Sequence, residues 1–201
     1  MKTMATILLL SALGGCSSMT TTYPGRSASE ELVMSTAIDR AAYQLAQQLP
    51  PFESVFIDAS LFDGTDAKYA VGSIRAELAR RGTHFSADRA HARTILEVRA
   101  GALSIDRHKF LIGIPEFTLP FPLAGTLAVP EIAIYSDHTD QGVAKFAAMA
   151  YDETDGRLLA IIDPLYGYSH NQKKTAALFV TWTKQDFIAD KDIDPVVKQD
   201  Y

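Results

Sequence analysis

The 201-residue chain contains a single cysteine, Cys16, so it can form no internal disulfide and no cysteine-based metal site. Catalytic signatures are equally scarce. No G-x-S-x-G is present, and Ser169 and His170 in GYSHN are chain neighbours that would point to opposite faces of a strand, a poor geometry for a nucleophile and its base. A polar loop end is the expected reading there. His84, His91, His108, His138 and His170 include no pair at helical ligand spacing, so no metal site is expected. Residues 63–72, DGTDAKYAVG, lack both the P-loop lysine and the dinucleotide fingerprint, and no cofactor is expected. Positive charge is also in deficit, with 19 Lys and Arg against 24 Asp and Glu, which argues against nucleic acid as a partner. There is no internal repeat.

What is present starts at the N-terminus. MKTMATILLLSALGGC has Lys2 as a short positive segment, an apolar run from Met4 to Leu13, and small residues before Cys16. The run is too short for a transmembrane helix. It resembles the lipobox of bacterial lipoproteins, which implies a signal peptide over residues 1–15 and acylation of Cys16 as the mature N-terminus, a stable membrane anchor. Ser17 follows rather than Asp, which by the same resemblance favours the outer membrane, with the protein facing the periplasm. Residues 16–26, small and polar, read as a flexible tether, residues 27–190 as one α+β domain, and residues 191–201 as a C-terminal tail. Loss of residues 1–15 removes one lysine and no acid, leaving a net charge of about −6.

Ser27 and Glu30 have capping-box spacing, and Met34, Ile38, Ala41, Leu45 and Leu49 repeat at helical intervals until Pro50-Pro51 stops them. Residues 55–62, VFIDASLF, read as a buried central strand holding Ile57 and Leu61. A second helix is expected from about Asp66, with Ala67, Ala70, Val71, Ile74 and Leu78 as its stripe and Gly82 as its stop. Residues 83–86 read as a short strand, and strands are expected over 94–105, 131–136, 143–151 and 157–162. DHTDQG reads as a turn between two of them, and Asp155-Gly156 as a hairpin. That turn also explains Asp152, Asp155 and Gly156 better than a calcium loop does, because Thr154 and Asp163 break the ligand pattern. Residues 176–182 fit either a strand or a helix. Asp58 and Asp106 read as strand-end caps or solvated turns, and Trp182, Tyr166 and Tyr168 as core, ahead of a surface that stacks a ligand. The expected fold class is α+β: a single, mainly antiparallel or mixed sheet with two main helices packed on one face.

Residues 109–130, KFLIGIPEFTLPFPLAGTLAVP, stand apart as an apolar stretch with four prolines. Transmembrane strands need about nine to eleven alternating residues with every N–H paired, and the prolines break that length. An extended, polyproline-like loop packed on its own sheet is expected, ahead of a contact surface for another chain and a lipid-touching element. Phe110, Phe117, Phe121 and Leu123 are its candidate contacts.

The lipobox, PPFESVFIDAS, AVGSIRAELARRG, TILEVRAGALSID, VPEIAIY and KFAAMAYDETDGRLLA together resemble the uncharacterised bacterial lipoproteins grouped as domain of unknown function 6655, over nearly the whole mature chain. More distantly, the order is similar to the periplasmic domain of curli-secretion lipoproteins and to the TolB N-terminal domain. In curli-type channels, the segment between the extended strands inserts into the outer membrane. The family resemblance implies a fold and an address, with no assigned activity. The expected role is an envelope assembly or scaffold component acting through a protein partner or homo-oligomer, with no defined catalytic activity. The alternatives are an oligomeric pore or secretion-channel component, and a hydrolase or small-ligand carrier.

Overall fold

The computed structural model describes residues 26–121 and 125–187. Cys16, the signal peptide, most of the tether, the C-terminal tail and Leu123 lie outside the described residues.

Helix α1 (Ala28–Gln48) starts with the expected capping box. The Glu30 N–H donates to Ser27 Oγ at 3.2 Å, and the Ser27 N–H donates to the Glu30 carboxylate at 2.7 Å, which satisfies two otherwise orphaned donors. Its inward stripe is Val33, Met34, Ala37, Ile38, Ala41, Ala42, Leu45 and Ala46. Helix α2 (Ala67–Arg80) buries Ala70, Ile74 and Leu78 beside it. Arg26 clamps the start of α2 with a two-pronged interaction on Asp66 at 2.7 and 3.0 Å.

The strands are β1 (Val55–Leu61), β2 (Thr94–Ile114), β3 (Phe117–Phe121), β4 (Gly125–Val129), β5 (Ile132–Asp152), β6 (Leu158–Ala176) and β7 (Val180–Gln185). Five of them form one sheet in the order β1-β2-β5-β6-β7, while β3 and β4 make a separate two-stranded ribbon. β1 runs parallel to β2 and every other pairing is antiparallel, so the fold is α+β with a mixed sheet and both helices on one face, as the pattern of elements implies.

Small residues set how closely α1 approaches. A Cβ on Gly167 would lie 1.9 Å from the Ala37 carbonyl oxygen, and one on Gly142 would lie 2.8 Å from that of Val33. The buried Ser169 hydroxyl donates to the Val33 carbonyl. The helix backbone therefore rests directly on the sheet at Gly142, Gly167 and Ser169. Beneath it lie Leu96, Val98, Ala144, Phe146 and Ala148, with the Phe146 ring 5.2 Å from that of Phe62.

Helix and strand then part company by simple geometry. α1, β2 and β5 have 21 residues each, but at about 1.5 Å per helical residue and 3.3 Å per strand residue the helix spans roughly 30 Å and each strand roughly 70 Å. Half of the sheet must run on beyond its helical cover.

Several expectations are corrected by these long strands. DHTDQG is no turn but the middle of β5, and GYSHN is no loop end but the middle of β6. Neither stretch loses its ladder, because its polar side chains alternate between two faces instead of closing a turn. β1 is an edge strand, not a central one; Val55 is fully buried, whereas Leu61 is exposed and Ile57 only partly covered. Tyr166, Tyr168 and Trp182 are exposed, not core. The described residues of 109–130 are not a polyproline-like loop packed on the sheet: residues 109–114 are the end of β2 itself, and 117–121 and 125–129 are β3 and β4. Pro115 and Pro130 fall at the junctions of β2 with β3 and of β4 with β5, where no ladder N–H is required. The ambiguous 176–182 run is strand at both ends, Ala176 closing β6 and Val180 to Trp182 opening β7 against it, with the turn confined to residues 177–179. The Asp155-Gly156 hairpin is present between β5 and β6.

Candidate functional site

The feature that calls for a function is the uncovered end of the sheet, built from residues 107–114 of β2, 132–140 of β5, 171–176 of β6 and β7, and carrying the β3–β4 ribbon. Twelve of the 21 exposed large hydrophobic side chains among the described residues lie there, between Phe110 and Ile134 and between Leu178 and Trp182.

Register places these side chains in rows. On the face away from the helices, Phe110, Asp137, Lys174 and Trp182 lie side by side, followed toward the tip by Ile112, Tyr135, Ala176 and Val180. Phe110 meets the Tyr135 ring edge-on at 6.2 Å, and Ile114 lies opposite Ile132. On the helix side the rows are polar: Arg107, Asp140, Asn171 and Gln185, then Lys109, His138, Lys173 and Thr183, then Leu111, Ser136, Thr175 and Thr181. Along β2 the apolar face therefore switches sides. Leu96 and Val98 point to the helices, whereas Phe110, Ile112 and Ile114 point away from them.

The polar rows are internally balanced. Lys109, His138 and Lys173 share one row, and Glu131 sets a counter-charge beside it, with Lys109 Nζ at 2.5 Å and His138 Nε2 at 3.5 Å. The Lys109 hydrogen bond is the main reason the Glu131 carboxyl lies below its usual range, with burial opposing and His138 helping. Burial pushes Asp137 up, but hydrogen bonds from Gln172, Lys174 and Thr139 outweigh it and hold the carboxyl low. Asp140 goes the other way: burial raises it, Arg107 at 3.6 Å offsets part of that, and Glu30 adds to it. Arg107 also pairs with Glu30, tying the capping box of α1 to the root of the extension. A shallow cavity of about 320 Å³ is lined by Glu131, Ser136, His138, Asp140, Asn171 and Lys173 among others.

At the other root, Arg40 on α1 donates to Asp186 Oδ2 at 2.7 Å and to the Asp186 carbonyl at 2.8 Å, and the His170 N–H donates to Asp186 Oδ1 at 2.9 Å. These bonds fasten the end of β7 to the helix layer. The β6–β7 turn is unusual. Ala177 and Leu178 have φ of 52° and 73°, a region that favours Gly or Asn and strains a bulky side chain. Leu178 and Phe179 at its apex are 57% and 81% exposed. Turn chemistry has been given up there for apolar surface.

Of the contacts singled out in the sequence, Phe110 lies on β2 and Phe117 on β3, both exposed, and the backbone of Phe121 closes β3 opposite Gly125. The sequence reading missed Ile112, Ile132, Phe179 and Trp182. The signal was available as the alternation of Phe110, Ile112 and Ile114 and in the absence of turn-forming glycine between Glu131 and Gln141. Ser169 and His170 are not brought together: the first is buried against α1 and the second is exposed on the opposite face. No group of three or more His, Cys, Asp or Glu side chains able to hold a metal occurs among the described residues, and no helix among them is long and apolar enough to cross a membrane.

No curated protein matches this chain. The model of one family matches residues 11–162, a span that includes Cys16 and stops within β6, short of the β6–β7 turn. On that match, which covers most of the chain, the protein belongs to the family of unknown function DUF6655.

Proposed function

We propose that this chain is a lipid-anchored protein of the cell envelope that faces the periplasm from the outer membrane. There it serves as a subunit of an oligomeric pore or secretion-channel component, with the uncovered end of its sheet inserted in the bilayer. The observation that carries the reading is the switch of the apolar face along β2, from the helix side at Leu96 and Val98 to the opposite side at Phe110, Ile112 and Ile114. A frayed continuation of the core would keep its apolar face toward the helices. On β2 this one presents Phe110, Ile112 and Ile114 where no helix among the described residues reaches, and Arg107 and Lys109 on the other face, the alternation expected of a strand with lipid on one side and water on the other. On the outward face Asp137 and Lys174 lie between Phe110 and Trp182 and pair with each other at 3.3 Å. From Phe110 to Phe121, and from Gly125 to Tyr135, the chain is β-strand apart from the two proline junctions. Unbroken by proline, β2 from Arg107 to Ile114 and β5 from Ile132 to Asp140 supply about eight to nine of the roughly nine to eleven residues a transmembrane strand needs, and the ribbon extends them. Covering the remaining half of one such side chain is worth about 1 kcal/mol, so the patch as a whole can hold the sheet in an apolar phase. Acylation of Cys16, implied by the lipobox, supplies the anchor.

A second reading, an assembly or scaffold component acting through protein contacts, has its own support. Tyr166 and Tyr168 stack 6.0 Å apart with Lys145 beside them, both exposed on the uncovered face. The two readings divide on one experiment. The anchored chain, added to dye-loaded vesicles, is expected to release dye, and Ile112→Asp is expected to abolish the release without changing the melt of the protein. Vesicles that stay sealed with the parent chain would favour the scaffold reading. Cys16→Ser serves as the anchor control and is expected to lose all fatty-acid labelling in cells.

A further inference from the structure

A membrane role creates a requirement that a single copy does not meet. In hydrocarbon every backbone N–H and C=O must be paired, so an open sheet edge is not tolerated there. β1 covers β2 only from Thr94 to Arg99, and from Ala102 to Ile114 the outer edge of β2 has no strand beside it among the described residues. β7, last in the sheet order, has the second edge with no strand beside it among the described residues.

These two edges fit each other. β2 runs toward the tip and β7 runs away from it, as the antiparallel pairings through β5 and β6 require. β7 lies level with residues 107–112 of β2, because Gln185 shares a row with Arg107 and Val180 with Ile112. Their faces match as well. Val180 and Trp182 lie on the face of Phe110 and Ile112, whereas Thr181, Thr183 and Gln185 lie on the face of Arg107, Lys109 and Leu111. Thr183 Oγ1 is buried and has no hydrogen-bond partner in the described chain, and it lies on the face that holds the donors of Arg107 and Lys109.

We infer that copies of this chain join edge to edge, β7 of one copy pairing antiparallel with the outer edge of β2 in the next, so that the extensions close into a continuous antiparallel sheet. The inference rests on the membrane reading for its requirement that the edges be closed. A two-fold pairing of β2 with β2 would leave both β7 edges bare, whereas head-to-tail pairing leaves neither the β2 nor the β7 edge of the main sheet bare once the ring closes. The parity of the register follows too. Slipping by one residue would set Trp182 beside Lys109 or Leu111 and mix the faces, so pairing must place Trp182 on the same face as Phe110 and Ile112.

Cysteine pairs test this on the full, anchored chain extracted in detergent, where the acylated Cys16 sulfur cannot form a disulfide. Trp182→Cys is combined with Phe110→Cys or Ile112→Cys on the same face, and with Lys109→Cys or Leu111→Cys on the opposite one. Because a cross-strand disulfide needs both Cβ atoms on one face, at least one same-face pair is expected to give a ladder of covalent multimers on oxidation, with roughly tenfold or more product than either opposite-face pair. Trp182→Cys alone is expected to give no crosslink; if it forms dimers, the pairing is two-fold and the inference fails. Light scattering on the unmutated chain guards against variants that misfold: a discrete particle of more than two chains is expected, and a monomer or dimer overturns the proposal. Dye release from vesicles separates the two levels. A ladder without release would keep the edge pairing and end the membrane reading, and release without a ladder would do the reverse.

Discussion

Under α1, strand β2 turns Leu96 and Val98 toward the helix and Glu97 and Arg99 away from it; ten residues further on, it turns Arg107 and Lys109 to the helix side and Phe110 and Ile112 away. Both halves pair antiparallel with β5, but a bulge at Gly101 separates them and turns the even-numbered residues of β2 from the helix side to the other face. The difference lies in what covers each face. In the first half the cover belongs to the chain itself, and the apolar side chains are buried to the last few percent of their surface. In the second half the cover is missing, and the apolar side chains have moved to the face that a neighbour or a bilayer can reach. Stability should therefore be concentrated in the covered half and function in the bare half, and substitutions can pull the two apart.

The largest effect is expected in the covered half. Gly167→Val would drive a side chain into the Ala37 carbonyl, already 1.9 Å from the position of a Cβ. It would lift α1 off the sheet and cost about 3 kcal/mol or more, since a packed helix backbone cannot give way as a flexible side chain can. Urea unfolding measures this; a loss below 1 kcal/mol would show that α1 is not seated as described.

Next come Phe110→Ala and Phe117→Ala in the bare half, both rings being exposed. With little packing to lose, each should change stability by no more than about 0.5 kcal/mol, while the pair together weakens vesicle flotation about tenfold or more through lost apolar area. A clear drop in melting temperature with flotation intact would reverse the contrast between the halves.

The third effect has opposite signs in the two measurements. Replacing Ala177-Leu178 with Asn-Gly puts suitable residues at the positive φ values of the β6–β7 turn and should stabilise the fold by about 1 kcal/mol. It also removes Leu178 from the apolar tip, so flotation should weaken as the melting temperature rises. A turn that is apolar for no functional reason would show the gain without the loss.

Much of the covered half was legible in the sequence because its signals are local. Ser27 and Glu30 announce the cap, the α1 and α2 stripes repeat at helical spacing, and Asp155-Gly156 marks its hairpin. The bare half was hard to read for the opposite reason. Tyr135 to Gln141 and Gly167 to Asn171 are polar on both faces or nearly so, and a strand without a buried face carries no hydrophobic alternation to betray it. Proline was over-weighted for a related reason: Pro115 and Pro130 mark where strands meet, which composition alone does not distinguish from strands being absent. Gly167 and Ser169, suggestive of chemistry in GYSHN, are instead where α1 touches the sheet. That role appears only once residues more than a hundred positions apart are brought together.

The smallest expected effect is that of pH, and it separates the groups at the root and along the bare half by sign. Glu30, Glu131, Asp137 and Asp186 all have folded-state carboxyls held below the ordinary value. For Glu131 the main cause is Lys109; for the other three, burial pushes up and is outweighed by the Ser27 N–H and Arg107 at Glu30, by Gln172, Lys174 and Thr139 at Asp137, and by Arg40 and the His170 N–H at Asp186. A carboxyl whose pKa is lower folded than unfolded adds stability above its unfolded pKa, and that contribution is lost as pH falls through the folded value. Asp140 is raised by its burial, so its charge opposes folding at neutral pH and protonation relieves it. The melting temperature should therefore fall on acidification through the carboxylate range, with Asp140 blunting the fall. Glu131→Gln should flatten the acid limb and lower stability at neutral pH, leaving Lys109, His138 and Lys173 in one row without their counter-charge. Asp140→Asn should steepen the limb and leave neutral stability unchanged or slightly higher, because the burial penalty outweighs the Arg107 contact at 3.6 Å. Melting curves of the three proteins across the acid range measure both slopes, and if both variants move the same way, the polar face of the extension is not balanced as its geometry implies.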